Sequence, residues 1–159
     1  QEIGNLTNLI WLYLEGNKLT GLPFSIESLT HLIQLNLRNN ELTDLSLEMC
    51  SLSALVFLDL AFNKISSLPP EMGNLTALNE LHLNDNQLRE LPLEIGNLDE
   101  MIDLFLSNNR LNKVPETLGK MSNLERLYLS DNLLTELPVE LDDLVSRDIV
   151  LLDGNPLSE

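Results

Sequence analysis

Few residues in the chain have the types and spacing that catalysis or metal binding requires. There are two histidines, His31 and His82, and a single cysteine, Cys50. No His-x-x-x-His or Cys-x-x-Cys pair occurs, so the spacings typical of zinc ligands are missing from the sequence. The glycines recur in segments such as Glu-Ile-Gly-Asn and form no phosphate-binding loop. The sequence therefore predicts a protein that is not an enzyme and that has no cofactor and no metal.

The charge of the chain is strongly acidic and points to particular classes of partner. Asp and Glu number 25 against 9 Lys and Arg, for a formal net charge of −16. Nucleic acids and anionic membrane surfaces are bound through Lys and Arg, so both are disfavoured. No apolar run approaches the roughly 20 residues that span a bilayer, and we expect no membrane insertion. A protein with a basic surface is the natural complement, although the charge alone also serves solubility.

Asparagine recurs at one fixed period. The positions are Asn17, Asn40, Asn63, Asn86, Asn109, Asn132 and Asn155, each 23 residues after the one before. A side-chain amide both donates and accepts hydrogen bonds, so it can satisfy backbone groups at the point where a strand turns away. The period therefore predicts a ladder of buried asparagines between neighbouring turns of a repeated fold.

The leucines around each asparagine define the element that carries it. The frame Leu-x-x-Leu-x-Leu-x-x-Asn-x-Leu appears, for example, as LIWLYLEGNKL from Leu9 and LNELHLNDNQL from Leu78. Its period-two alternation predicts a short strand with leucines on the inner face. One such strand cannot bury its leucines alone, so neighbouring units must stack and their strands must pair in parallel.

The second half of each unit has to return the chain to the next strand. Proline fixes φ where this return begins, at Pro23, Pro69, Pro92, Pro115 and Pro138. The few residues that remain predict one short helical or 3₁₀ turn. Ser46 takes the proline position in the second unit, and we expect a looser return there.

The frame and its Leu-Pro-x-x-Ile-Gly-x-Leu second half resemble the leucine-rich-repeat family, and within it the 23-residue intracellular class of Ras-suppressor-like and Shoc2-like proteins. The resemblance implies an α/β solenoid with a curved parallel sheet on its concave face and short helical or 3₁₀ returns on its convex face. Residues 1–159 are expected to form a single, monomeric domain of about seven repeats. Because Gln1 to Leu6 read as the tail of an earlier repeat, we expect a fragment that lacks its N-terminal cap.

The side chains that alternate with the strand leucines are free to contact a partner. Five of the seven aromatic residues of the chain fall at such positions, mixed with charged residues. Exposed aromatics on a rigid surface are typical anchors of protein interfaces. The predicted partner-binding residues are Trp11, Tyr13, Gln34, Arg38, Phe57, Asp59, Glu80, His82, Asp103, Phe105, Arg126 and Tyr128.

These positions also differ along the stack. Trp11 and Phe57 make the first repeats apolar, and they are the two aromatics that the repeat itself explains least. The middle of the face is predicted to be acidic, from Asp59, Glu80 and Asp103. The surface would fit a protein that presents an apolar knob beside Lys or Arg side chains.

The sequence thus predicts a non-catalytic scaffold or adaptor, and the resemblance implies a partner in small-GTPase signalling. A lone cysteine at a core-type position favours a reducing compartment, and hence a cytoplasmic protein. Two alternatives stay open. One is the partner-selecting module of a larger enzyme, such as a deadenylase, ligase or GTPase. The other is the ectodomain of an extracellular recognition receptor.

Overall fold

The structure, a computed structural model, describes residues 2–158 of the chain. Within these residues one parallel sheet of seven strands is formed, and the strands lie side by side in their order along the chain. The strands are β1 (Trp11–Tyr13), β2 (Gln34–Asn36), β3 (Phe57–Asp59), β4 (Glu80–His82), β5 (Asp103–Phe105), β6 (Arg126–Tyr128) and β7 (Val150–Leu151). The stacked solenoid with its curved parallel sheet is confirmed.

Short 3₁₀ helices return the chain between strands, as the proline positions predict. In the described part of the chain they are Ile3–Asn5, Phe24–Ser28, Met49–Ser51, Pro70–Asn74, Leu93–Asn97, Glu116–Lys120 and Val139–Leu141. A single turn of α-helix, α1 (Asp142–Ser146), follows the last of these. The return that begins near Ser46 has three helical residues, against five in the return at Leu93–Asn97.

The core is a stack of leucines shared by consecutive repeats. Leu35, Leu58, Leu81, Leu104 and Leu127 are the central residues of β2 to β6 and are fully buried. Each of the first four is paired with the equivalent leucine of the next strand, as in Leu58 with Leu81, and Leu127 is paired with Val150. The returns of neighbouring repeats also pack tightly, because a Cβ added to Gly96 would lie only 2.6 Å from the carbonyl oxygen of Thr117. Layers this tight allow no insertion between repeats, which explains the constant period.

The repeated asparagine ties each repeat to the one before it. Asn86 Nδ2 donates to the carbonyl oxygens of Leu60 and Leu83, at 2.9 and 3.1 Å. Its Oδ1 accepts the backbone N–H of Ile65 at 3.0 Å. The same three bonds recur at Asn40, Asn63, Asn109 and Asn132, all of which are buried. The predicted ladder is confirmed for these residues.

The two outer asparagines differ because fewer turns cover them. Asn17 is exposed, and its amide donates to Leu14 and Glu15 of its own repeat. Asn155 is half-buried and keeps the bonds to the preceding repeat, including the N–H of Leu134 at 3.1 Å. The repeat pattern alone therefore predicts more burial for Asn17 than the structure shows.

The residue before each ladder asparagine lies in the left-handed region of backbone space. Glycine holds this position at Gly16 and Gly154, and Asn or Asp, which tolerate it, hold several of the others. Phe62 is the exception, a bulky side chain at φ 56°. The guanidinium of Arg38 lies 4.3 Å from the centre of the Phe62 ring, a cation–π contact that helps to offset the strain.

Replacing Asn86 by Leu should lower the free energy of unfolding by about 1–3 kcal/mol, because the buried carbonyls of Leu60 and Leu83 and the N–H of Ile65 lose their partner. Asn17→Leu is the matched control. It changes the same repeat position at an exposed site and should shift stability by less than about 0.5 kcal/mol. Urea unfolding followed by circular dichroism measures both, and equal losses would contradict the role of the ladder.

Candidate interaction surface

The residues predicted to bind a partner lie in two registered columns on the sheet, alternating with the core leucines. The first column is Trp11, Gln34, Phe57, Glu80, Asp103 and Arg126. The second column is Tyr13, Asn36, Asp59, His82, Phe105, Tyr128 and Leu151. Arg38 lies just beyond the end of β2, over the ring of Phe62. The sheet thus brings all the predicted residues onto one face.

The most exposed aromatics of this face lie at its amino-terminal end. Trp11 and Tyr13 have 61% and 54% of their surface exposed to solvent. The hydroxyl of Tyr13 donates a hydrogen bond to the side-chain carbonyl of Gln34 on the next strand. That bond orients the tyrosine ring, so less side-chain freedom is left to be lost when a partner binds.

Further along, the second column becomes a stack of rings. His82 and Phe105 are nearly parallel with centroids 4.1 Å apart, and Phe105 and Tyr128 follow at 4.5 Å. Phe57 of the first column contacts His82 with 5.6 Å between the ring centroids and 52° between the ring planes. Adjacent parallel strands are about 4.8 Å apart, which matches the distance at which rings stack. The sequence places these aromatics on the face but does not reveal the stack. Reading the second column as consecutive neighbours would have found it.

The predicted acidic middle of the face needs correction, because most of its carboxylates already have partners. Asp59 and Asp103, predicted to be free, are 6% and 7% exposed. Asp59 Oδ1 accepts the backbone N–H of Ala61 at 2.9 Å. The Nε2 of His82 lies 2.6 Å from Glu80 Oε1.

Asp103 is held by Arg126 in a bidentate pair, with both nitrogen–oxygen distances 2.5 Å. Hydrogen bonding to this carboxylate, together with its charge, raises the pKa of Arg126. The pair is set by the register, since the two residues face each other across β5 and β6. The middle of the face is therefore aromatic as well as acidic, and the charge of Asp103 is offset by Arg126.

Cys50 is not part of this surface. It is 1% exposed, and burial, with smaller contributions from Glu71 and Glu48, raises the pKa of its thiol to about 11. Among residues 2–158, no cluster of three or more His, Cys, Asp or Glu side chains could hold a metal ion. No helix in that range is long and apolar enough to cross a membrane.

The Cys50 thiol should be inert in the folded protein. With its pKa near 11 instead of 9.0, the thiolate fraction at pH 8 falls roughly a hundredfold. Ellman's reagent should therefore react far more slowly with native protein than with protein in concentrated urea. The raised pKa also implies that the thiol's contribution to stability is intact below pH 9 and is lost as the pH rises through about 11. Equal labelling rates in the native and unfolded states would contradict the assigned burial.

Models of the leucine-rich repeat match nearly the whole chain. The model described as "Leucine-rich repeat region" matches residues 1–86, and two further leucine-rich-repeat models match residues 77–98 and 99–157. The chain belongs to the leucine-rich-repeat family. No curated protein matches the sequence significantly.

Solved structures of several kinds resemble the chain. A leucine-rich-repeat protein of Leptospira interrogans is 35% identical over 99% of this chain, with a TM-score of 0.91. The ectodomain of the Arabidopsis thaliana receptor kinase GASSHO1/SCHENGEN3, solved with CASPARIAN STRIP INTEGRITY FACTOR 2, is 33% identical over 98%, with a TM-score of 0.84. An internalin of Listeria monocytogenes is 27% identical over 99%, with a TM-score of 0.73. This chain spans 40%, 19% and 50% of those chains, respectively. Leucine-rich repeats commonly bind other proteins.

Proposed function

We propose that this chain is a non-catalytic protein-binding module, a scaffold or adaptor that takes its partner on the concave face of the sheet. The observation that carries the proposal is the pair Trp11 and Tyr13, exposed on the first strand of the same face that carries the aromatic stack. Large apolar rings fixed in place lose little entropy on binding, and for that reason they dominate the binding energy of protein interfaces.

The partner that fits this face presents an apolar knob beside Lys or Arg side chains. The knob would pack against Trp11 and Phe57, the two apolar residues that flank Gln34 in the first column. Glu15 is exposed next to Tyr13, and the chain as a whole carries a net charge of −16, so positive groups on the partner are favoured. The paired Glu80 and Asp103 contribute less, because a partner would have to displace the groups that already bind them.

The cellular setting of the proposal rests on the resemblance to Ras-suppressor-like proteins. It favours a partner in small-GTPase signalling and a location in the cytoplasm. The reduced and buried Cys50 is compatible with a reducing compartment. The chain spans half or less of the first structures it resembles. In a second form of the same role, the chain is a module that selects partners for an enzymatic domain of a larger protein.

An extracellular recognition function is the competing candidate, and the likeness to a plant receptor ectodomain favours it. It makes a separate prediction at Asn74, which is exposed within the glycosylation-type triplet Asn74-Leu75-Thr76. Mass spectrometry of the protein from its natural source would find sugar on Asn74 if the chain is secreted through a glycosylating pathway. Its absence, together with an unmodified Cys50 thiol, would favour the intracellular form.

The concave-face proposal predicts a large loss of binding when the apolar anchors are removed. Full-length protein is used to purify partners, which mass spectrometry identifies, and the purified partner is titrated against variants. Trp11→Ala combined with Phe57→Ala should weaken binding by several hundredfold, since anchor residues each contribute on the order of 2 kcal/mol. Isothermal titration calorimetry gives the affinity directly.

Two further variants make the result interpretable. Trp11→Ala with Tyr13→Ala changes only exposed residues, so it tests the same face without disturbing the core. Leu133→Ala is the matched control, because Leu133 is a 54% exposed apolar residue outside both columns. If the double variants keep wild-type affinity, or if Leu133→Ala loses as much as they do, the concave face is not the binding surface.

A further inference from the structure

A row of apolar residues also runs along the return segments, away from the two columns of the concave sheet. It consists of the residue that follows the proline position in each repeat. Four of its members are exposed large apolar residues: Phe24 at 77%, Leu47 at 54%, Leu93 at 60% and Val139 at 70%. Pro70 continues the row between Leu47 and Leu93, and Glu116 interrupts it before Val139. We refer to Phe24, Leu47, Pro70 and Leu93 as the apolar ridge.

The fold itself does not need the apolar ridge. Packing of the returns is done two residues later in each unit, by Ile26, Met49, Met72 and Ile95, which are almost completely buried. The ridge residues project from the same turns into solvent. Exposed apolar side chains thus recur at one repeat position over four consecutive repeats, and apolar patches on a surface mark sites of interaction.

A row of carboxylates lines one side of the apolar ridge, and two further carboxylates lie on the other side. Glu48, Glu71 and Glu94 directly follow the ridge residues of their repeats. Asp44 and Glu90 lie two residues before the proline position, on the other flank. Of these, Glu90 is paired with Lys113, at 3.7 Å. An apolar strip beside a row of carboxylates is complementary to an apolar strip beside a row of basic residues, whereas it repels an anionic membrane or a second copy of this acidic chain.

The spacing of the ridge selects the conformation of its occupant. Strands in the sheet are about 4.8 Å apart, and the ridge residues recur once per repeat of the same stack. One turn of α-helix advances 5.4 Å and places one apolar residue per turn on a given face. An extended strand repeats a face about every 6.6 Å and would lose register within a few repeats.

We propose that the apolar ridge binds a basic amphipathic α-helix of a partner protein, lying along the axis of the solenoid. Apolar residues of the helix, at every third or fourth position, pack between Phe24, Leu47 and Leu93. Lysine or arginine residues on the flanks of the helix then meet Glu48, Glu71 and Glu94. This surface is separate from the two concave columns, so a partner there leaves Trp11 and the aromatic stack free.

The test uses labelled synthetic peptides of roughly 16 residues, about four helical turns. The probe peptide has leucine at helical spacing flanked by lysine. One control peptide has the same composition in scrambled order, and a second has glutamate in place of each lysine. Fluorescence anisotropy measures binding to the protein, and nitrogen-15 NMR maps which backbone amides shift.

The probe peptide should bind and shift the amides of residues 24–28, 47–51 and 93–97, with the amides of the concave strands unchanged. Phe24→Ser with Leu93→Ser should weaken its binding about tenfold or more, since each change removes one apolar contact. Both residues are exposed, so these substitutions should leave the fold intact. Trp11→Ala with Tyr13→Ala, the matched change on the concave face, should have no effect on this binding.

Several outcomes overturn the proposal. They are equal binding of the scrambled or glutamate peptide, shifts confined to the concave face, or no binding of the probe peptide at all. Two other outcomes are a dimer in analytical ultracentrifugation and binding of the protein to phosphatidylcholine vesicles. If Phe24→Ser with Leu93→Ser abolishes either of these, the ridge binds a second copy of the chain or a lipid surface, and the helix proposal is wrong. Failure here leaves the concave-face proposal intact, because the two surfaces are tested with different variants.

Discussion

One hydrogen-bonding arrangement supports every other feature of this solenoid. At the end of each strand the backbone turns inward and leaves polar groups in an apolar interior, where each unpaired group would be costly. Asn63 satisfies three of them at once, the N–H of Leu42 and the carbonyls of Leu37 and Leu60. Aspartate lacks the donor, leucine lacks both donor and acceptor, and serine is too short to reach across two repeats. The side chain therefore fixes both the shape of one turn and its distance from the turn before.

Because this link repeats without insertion, each position of the repeat becomes a line of neighbours in space. That geometry turns separate residues into composite features. Rings in the second column come to stacking distance, from His82 to Tyr128. Asp103 meets Arg126 across adjacent strands. Outside the sheet, the same alignment produces the apolar ridge. Two surfaces of different chemistry are thus built on one scaffold.

The parallel strand order, the 3₁₀ returns, the buried asparagines and the membership of both columns were all predictable from the sequence, because the repeat period determines them. Features that depend on side-chain pairing between repeats were not. Asp59 and Asp103 read as free acids, but one accepts a backbone amide and the other is covered by Arg126. Phe24 and Leu93 resemble core consensus, and only their exposure separates them from Ile26 and Ile95. The leucine-rich-repeat family is confirmed, whereas the Ras-suppressor-like subclass and the partner-binding residues stay predictions.

Hydrogen exchange of the asparagine side-chain amides, followed by NMR, tests the central role of the ladder most directly. The Nδ2 protons of Asn40, Asn63, Asn86, Asn109 and Asn132 donate to buried carbonyls and should exchange far more slowly than those of the exposed Asn97. Asn17, identical in repeat position but exposed, should exchange as fast as Asn97. Rapid exchange at the five inner positions would show that these amides do not hold the repeats together, and would contradict the account.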